Sequence, residues 1–222
     1  ICVLLRAIGQ RIAYYHAGLD RHNYSVLYDV GYQIVDFGEQ NSPVNHLNDA
    51  IAYVMLSILI IRILSEFHMY RWGVIDIILD CWIIMNTLGI MRSFAYCVTA
   101  LPTAWQMCSP SDSRFNPPTA HDVLFNLFNS DIEVPGNDSM CGDMIFSGHM
   151  LNSLSVTMFF YLFYSLRWSI PMFVLCGIQS VLIIGVKAHY SVDVVLAWYI
   201  VPIYWIVLVD KRTTLFGMTY RH

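Results

Sequence analysis

An all-helical bundle that crosses a membrane several times is the fold class this sequence predicts, and three observations predict it. Hydrophobic residues make up 57% of the 222 and charged residues only 13%, against about 25% charged in soluble domains. Apolar runs recur along the chain, several near the length of about 20 residues that a bilayer core requires. The cations then fall together on alternate connections between those runs, as the positive-inside bias demands. The net charge of −4 is modest, and no basic stripe suggests a nucleic-acid partner.

Taken in order, the chain reads as six spans. Residues 1–15 read as the remnant of a first span, interrupted by Arg6 and Arg11. Residues 16–48 are polar and mixed, a loop with one short amphipathic helix over 27–37. A second span covers 47–64 and a third, 73–101, is interrupted by Asp76, Asp80, Asn86 and Arg92. Residues 102–142 form the longest polar loop, with prolines at 102, 110, 117, 118 and 135 and a short helix over 122–128. The fourth, fifth and sixth spans cover 145–166, 170–186 and 192–209, and 211–222 is a basic tail. Functionally this divides into 1–142 (spans and loops before the motifs, the first span truncated), 143–210 (a catalytic core) and 211–222 (a cytosolic tail).

Arg62, Arg71, Arg167, Lys211, Arg212 and Arg221 share one side, which the positive-inside rule makes cytosolic. The loops 16–46 and 102–142 and the turn 187–191 then face a lumen or the exterior. The sequons Asn23-Tyr24-Ser25 and Asn137-Asp138-Ser139 land on that side too. Cys108 and Cys141 lie in the same compartment, where an oxidising lumen permits a bridge; two free thiols are the other reading.

The chemistry gathers in two clusters. Cys141-Gly142-Asp143 and Ser147-Gly148-His149 stand at the mouth of the fourth span, and Lys187, His189, Tyr190, Ser191 and Asp193 at the mouth of the sixth. Because the fifth span runs back, both histidines come to the same side of the membrane, and antiparallel helices joined by short turns pack together. His189 and Asp193 are four apart and on a helix would share a face. The carboxylate would fix the imidazole tautomer and leave the other nitrogen free as base or nucleophile. The alternative is a satisfied ion pair between helices, which the second cluster on the same side outweighs. A glycine at a helix start lets backbone N–H groups approach a phosphate. His149 would serve as general acid and then base, and Ser147 would donate to a phosphoryl oxygen.

The segments Cys141-Gly142-Asp143 to Ser147-Gly148-His149 and His189-Tyr190-Ser191-Val192-Asp193-Val194 resemble the two signature motifs of the sphingomyelin synthase family of ceramide phosphotransferases, related to the type-2 phosphatidic acid phosphatases (PAP2). Arg92-Ser93-x-x-Tyr96-x-Val98-Thr99-x-Leu101-Pro102 is similar to a third family segment, so the resemblance runs over 73–205. Met150 stands where the family carries Thr, and Ser191 where it carries Thr. The phosphatase branch has an arginine six before the second histidine, where this chain has Ile183, which argues against phosphomonoester hydrolysis.

The resemblance implies a PAP2-like catalytic core. His189, oriented by Asp193, would attack the phosphorus of a glycerophospholipid, and His149 would protonate the departing diacylglycerol. His149 would then deprotonate the primary hydroxyl of ceramide, which takes the head group. The rival readings are a PAP2-like lipid phosphatase or phospholipase C-type hydrolase and a non-catalytic lipid-binding scaffold. The implied partners are a membrane, ceramide and the donor lipid, with a homo-oligomer compatible. The implied location is the Golgi or plasma membrane, or the endoplasmic reticulum, with the site lumenal or exoplasmic.

Secondary candidates surround this pair. Asp143 would position His149 or a cationic head group, or cap the helix start. His121 or Asp122, where the family carries a Glu, would orient His149 or form a helix cap. Arg92, about 15 Å inside the third span, would pair with a buried acid or a phosphate. Lys187 would snorkel to the interface. Asp76 and Asp80 read as polar packing between helices, since a metal would need more ligands; no metal or cofactor is expected. The tryptophans read as an interfacial belt or packing.

Overall fold

In the computed structural model the chain is described over residues 8, 9, 12, 15, 27–38, 43–67, 71–99, 101–102, 145–164 and 166–216. Six helices are delimited there: α1 Val30–Ile34, α2 Pro43–Phe67, α3 Arg71–Val98, α4 Gly148–Phe163, α5 Leu166–Gly185 and α6 Ser191–Phe216. No strand occurs among the described residues.

Local chemistry sets these boundaries. Pro43 opens α2, where its missing N–H is one that a helix start leaves unpaired anyway. The Ser147 hydroxyl caps α4, accepting from Met150 N at 3.4 Å. Helix α5 closes with two bonds, Ala188 N to Ile183 O at 3.1 Å and Lys187 N to Ile184 O at 2.9 Å. That is the paired pattern of a Schellman turn. It places Lys187, at φ 58°, in the left-handed position usually held by glycine.

Helix α4 is the hub and packs on α2, α3, α5 and α6. Met150, Leu154, Met158, Phe159 and Phe160 are buried along it. Its polar residues are tied inward. Trp205 Nε1 donates to Ser155 Oγ at 3.2 Å, and the Thr157 hydroxyl meets Cys176 Sγ at 3.1 Å. The outer helices instead present Tyr53, Ile61, Trp82, Phe94, Val174 and Tyr199 outward. An apolar exterior of this kind belongs in lipid.

Four stretches are long and apolar enough to cross a membrane: Pro43–Ser65, Ile78–Val98, Leu166–Gly185 and Ser191–Val209. They correspond to the second, third, fifth and sixth expected spans. The expected first span lies almost wholly outside the described residues. The expected fourth, 145–166, is the shorter α4, whose sixteen residues reach about 24 Å against a hydrocarbon core of about 30 Å. Ten of those residues are buried, so α4 is walled by protein and need not match the bilayer by itself. Other boundaries also move. Helix α5 starts four residues earlier than expected and carries Pro171 inside it, and α6 runs past Asp210 to Phe216.

One end of the bundle gathers the candidate site residues. The starts of α2, α4 and α6 and the ends of α3 and α5 meet there. At the opposite end the Arg62 guanidinium lies 4.8 Å from the Tyr164 ring centre and 6.0 Å from that of Trp168. Residues 27–38 strap the functional end across the α5–α6 turn. Phe37 N donates to Gly185 O at 2.8 Å, and Lys187 Nζ meets Asp36 Oδ2 at 3.0 Å. The loop expected over 16–48 therefore does reach the side of the 187–191 turn, as a strap with a helix shorter than expected.

Candidate active site

His149 is the second residue of α4, and His189 lies in the turn two residues before α6. Their ring centroids are 6.5 Å apart at an interplanar angle of 72°. His189 is 7% exposed and Asp193 fully buried. Asp193 Oδ2 lies 3.6 Å from His189 Nδ1 and accepts from Tyr190 N at 3.1 Å. The expectation that His189 and Asp193 share a helix face is corrected in detail. His189 precedes the helix, and the carboxylate reaches back over the cap as the acidic half of a capping box does. The separation of 3.6 Å exceeds a hydrogen bond, and catalytic bonds of this type commonly tighten in the substrate complex. Ser147 N donates to Asp193 O at 3.4 Å, which ties the two clusters together through the backbone.

Asp49, on the second turn of α2, was missed by the sequence reading. Its Oδ1 lies 3.3 Å from His149 Nε2. Each histidine thus has its own carboxylate: a buried one for His189 and a half-exposed one for His149. A signal was present, since an acid just inside an apolar run is a functional candidate by default.

Arg92 is brought to the same place. Its Nε donates to Phe146 O at 2.7 Å, and its charge acts on both His149 and Asp193. Helix α3 ends at Val98, so Arg92 lies about 9 Å from that end, shallower than expected and level with the histidines. Gly148 makes room for it: a Cβ there would stand 3.0 Å from Arg92 Cζ. Ser147, expected to donate to a phosphoryl oxygen, is fully buried and uses its oxygen as the α4 cap.

Lys187 pairs with Asp36 on the strap, away from the imidazoles. Asp29 was also missed. Its carboxylate accepts from Ser191 N at 2.6 Å, Ser191 Oγ at 2.7 Å and Gly31 N at 2.7 Å, capping α1 and α6 together. Tyr190 completes the frame, donating its hydroxyl to Pro102 O at 2.7 Å and accepting from Leu27 N at 3.2 Å. Burial pushes the Tyr190 phenol above its usual range, which keeps the proton that this donation needs.

Asp143, His121, Asp122, Cys108, Cys141 and both sequons lie outside the described residues. Among the described residues no group of three His, Cys, Asp or Glu could hold a metal. Asp80 is buried in the bundle; the Asp76 side chain lies outside the described residues.

What this arrangement can do is move a phosphoryl group: one imidazole to attack, one to transfer a proton, a guanidinium and a helix start to hold the anion. Known proteins are similar to this part of the chain. Residues 140–210 match the family described as PAP2 superfamily C-terminal. A phosphatidylinositol:ceramide inositolphosphotransferase of Oryza sativa subsp. indica is 37% identical over 113 residues, 50% of this chain and 34% of that protein. A phosphatidylcholine:ceramide cholinephosphotransferase 2 of Rattus norvegicus is 31% identical over 123 residues, 53% of this chain and 33% of that protein. Phosphatidylinositol:ceramide inositolphosphotransferase 3 of Arabidopsis thaliana is 33% identical over 113 residues, 50% of this chain and 38% of that protein. The chain therefore matches little more than a third of the length of these curated relatives. The segment that carries both histidines and Asp193 thus matches the PAP2 superfamily C-terminal family, and about half of the chain is similar to proteins named as ceramide inositol- and cholinephosphotransferases.

Proposed function

We propose that this protein transfers a phospho-head group from a glycerophospholipid to ceramide, yielding a phosphosphingolipid and diacylglycerol. The observation that carries the reading is the 6.5 Å pairing of the His149 and His189 rings at one end of an apolar bundle. The relatives named for ceramide inositol- and cholinephosphotransfer support the substrate class.

The reaction takes two displacements at phosphorus. With Nδ1–H turned to Asp193, His189 uses Nε2 to attack, and a P–N bond forms. The P–O bond to the glycerol breaks, and the leaving oxygen takes the proton of His149, whose Nε2 lies 3.3 Å from Asp49 Oδ1. Diacylglycerol departs. Neutral His149 then accepts the proton of the ceramide primary hydroxyl, whose oxygen attacks phosphorus as the P–N bond breaks. Both histidines end as they began. Arg92 and the α4 start hold the negative oxygens in each step. Asp143, His121 and Asp122 remain the further candidates for holding the head group or orienting His149 in this reading.

The bundle has six spans in this reading, with α4 as a short fourth, and the histidine end faces a lumen or the exterior of a Golgi, plasma or endoplasmic reticulum membrane. The test is a lipid assay. Purified protein with fluorescent ceramide and one phospholipid donor at a time should form a new phosphosphingolipid and release diacylglycerol. Diacylglycerol without a phosphosphingolipid would instead mark a hydrolase.

A further inference from the structure

Helix α4 carries its catalytic histidine at position 149 and, one turn further in, an exposed amide at Asn152. Residues three apart on a helix share a face, and the rise between them is about 4.5 Å. Asn152 hydrogen-bonds no described residue, and beside it the buried Ser153 hydroxyl also has no partner. Both line a cavity of about 350 Å³ between α2, α3, α4 and α6, within the range of about 300–1,000 Å³ typical of small-molecule sites. Its other walls are apolar, running from Ala52 past Leu56 and Met85 to Phe159 and Trp205. Ala52 is one turn below Asp49, so the cavity begins directly under the His149–Asp49 pair. The buried Ser153 hydroxyl left unpaired in such a wall is costly unless a ligand satisfies it, and the exposed Asn152 amide beside it is open to the same ligand.

We propose that Asn152, with Ser153, reads the amide of the acceptor lipid, so that this cavity selects an N-acyl sphingoid chain over an ester-linked diglyceride. The inference rests on the ceramide transfer reading above. In ceramide the amide nitrogen sits on the carbon next to the one bearing the reacting hydroxyl. With that hydroxyl at His149, the amide falls about one helical turn deeper, at the level of Asn152. A carboxamide side chain offers both N–H donors and a carbonyl acceptor, and so can meet the single N–H and the C=O of an amide together. An ester has acceptors only and leaves a carbonyl on the protein unpaired. The chains then follow the apolar wall toward Trp205.

The experiment compares three acceptors, ceramide, N-methyl ceramide and the O-acyl ester analogue, on the intact protein and on Asn152→Leu and Asn152→Ser, at a fixed donor concentration. The wild type should favour ceramide over both analogues by at least tenfold in kcat/KM. Asn152→Leu should raise the KM for ceramide and bring the three acceptors within about threefold of one another. Asn152→Ser, which keeps a polar group of smaller size, should lie between and guards against misfolding of the leucine variant. Wild-type protein that uses all three acceptors equally would overturn the proposal. So would either variant with undiminished preference for ceramide. A wild type that transfers to none of them, while His189→Ala changes nothing, would instead remove the underlying transferase reading.

Discussion

The imidazole of His189 meets that of His149 edge to face, 6.5 Å between centroids, although forty residues and one antiparallel helix separate them in the chain. A phosphorus atom bonded to one ring and an oxygen losing its proton to the other fit within such a separation. Dependence on both rings follows. Replacing His149 or His189 with Ala should abolish head-group transfer, and Asp193→Asn should lower turnover by roughly 10⁴-fold, the scale seen when a carboxylate that fixes an imidazole tautomer is lost. Lipid product formation at matched protein levels measures this, and an active His149→Ala would refute the two-histidine scheme.

Asp49 should matter less than Asp193 because it is half exposed where Asp193 is buried. Asp49→Asn should reduce kcat by about 10-fold to 100-fold, the range for carboxylate partners of metal-bound imidazoles. Asp49→Glu should recover part of it. The pH dependence of kcat in the two variants is the informative measurement, since a change confined to protein yield would assign Asp49 to folding alone.

Asp29 should couple stability to activity. Its carboxylate satisfies Ser191 and Gly31 at once, and removal of a helix cap costs about 0.5–2 kcal/mol. Asp29→Ala should lower the midpoint of thermal unfolding in detergent and reduce turnover, because Ser191 lies two residues from His189. An unchanged midpoint would show that the strap does not hold the turn.

Lys187 sits in a left-handed conformation that costs a side-chain-bearing residue about 1 kcal/mol. Lys187→Gly should therefore raise the unfolding midpoint while losing the exposed pair with Asp36. The Asp36 carboxyl lies below its usual range, first through the Gly38 N–H and then through Lys187. A depressed carboxylate contributes stability above its unfolded pKa of 3.8 and loses it as pH falls further. The variant should shift the Asp36 titration upward only in part, which NMR of the carboxyl carbon reads directly; a full return to the ordinary value would deny the Gly38 bond its leading role.

The helical class and the two histidine clusters were legible in the sequence because both follow from local pattern: apolar runs of bilayer length, and polar motifs at their mouths. Asp49 and Asp29 were not, since each is a single acid whose partner lies a hundred or more residues away, and no spacing encodes that contact. The depth of Arg92 was misjudged because the run over 73–101 continues apolar after the helix stops at Val98, short of the Leu101-Pro102 pair that disfavours helix. The sequence alone does not show the capping role of Ser147, because capping and anion binding ask for the same residue at the same position. The shortness of α4 was hidden for another reason. Apolar composition looks the same whether a helix is covered by protein or by lipid.

The most direct test of the central claim is the configuration at phosphorus when a donor made chiral with isotopic oxygen and sulfur passes its head group to ceramide. Two displacements through His189 require net retention. Net inversion would show a single direct transfer with no phosphohistidine, and would contradict the roles assigned here to the two rings.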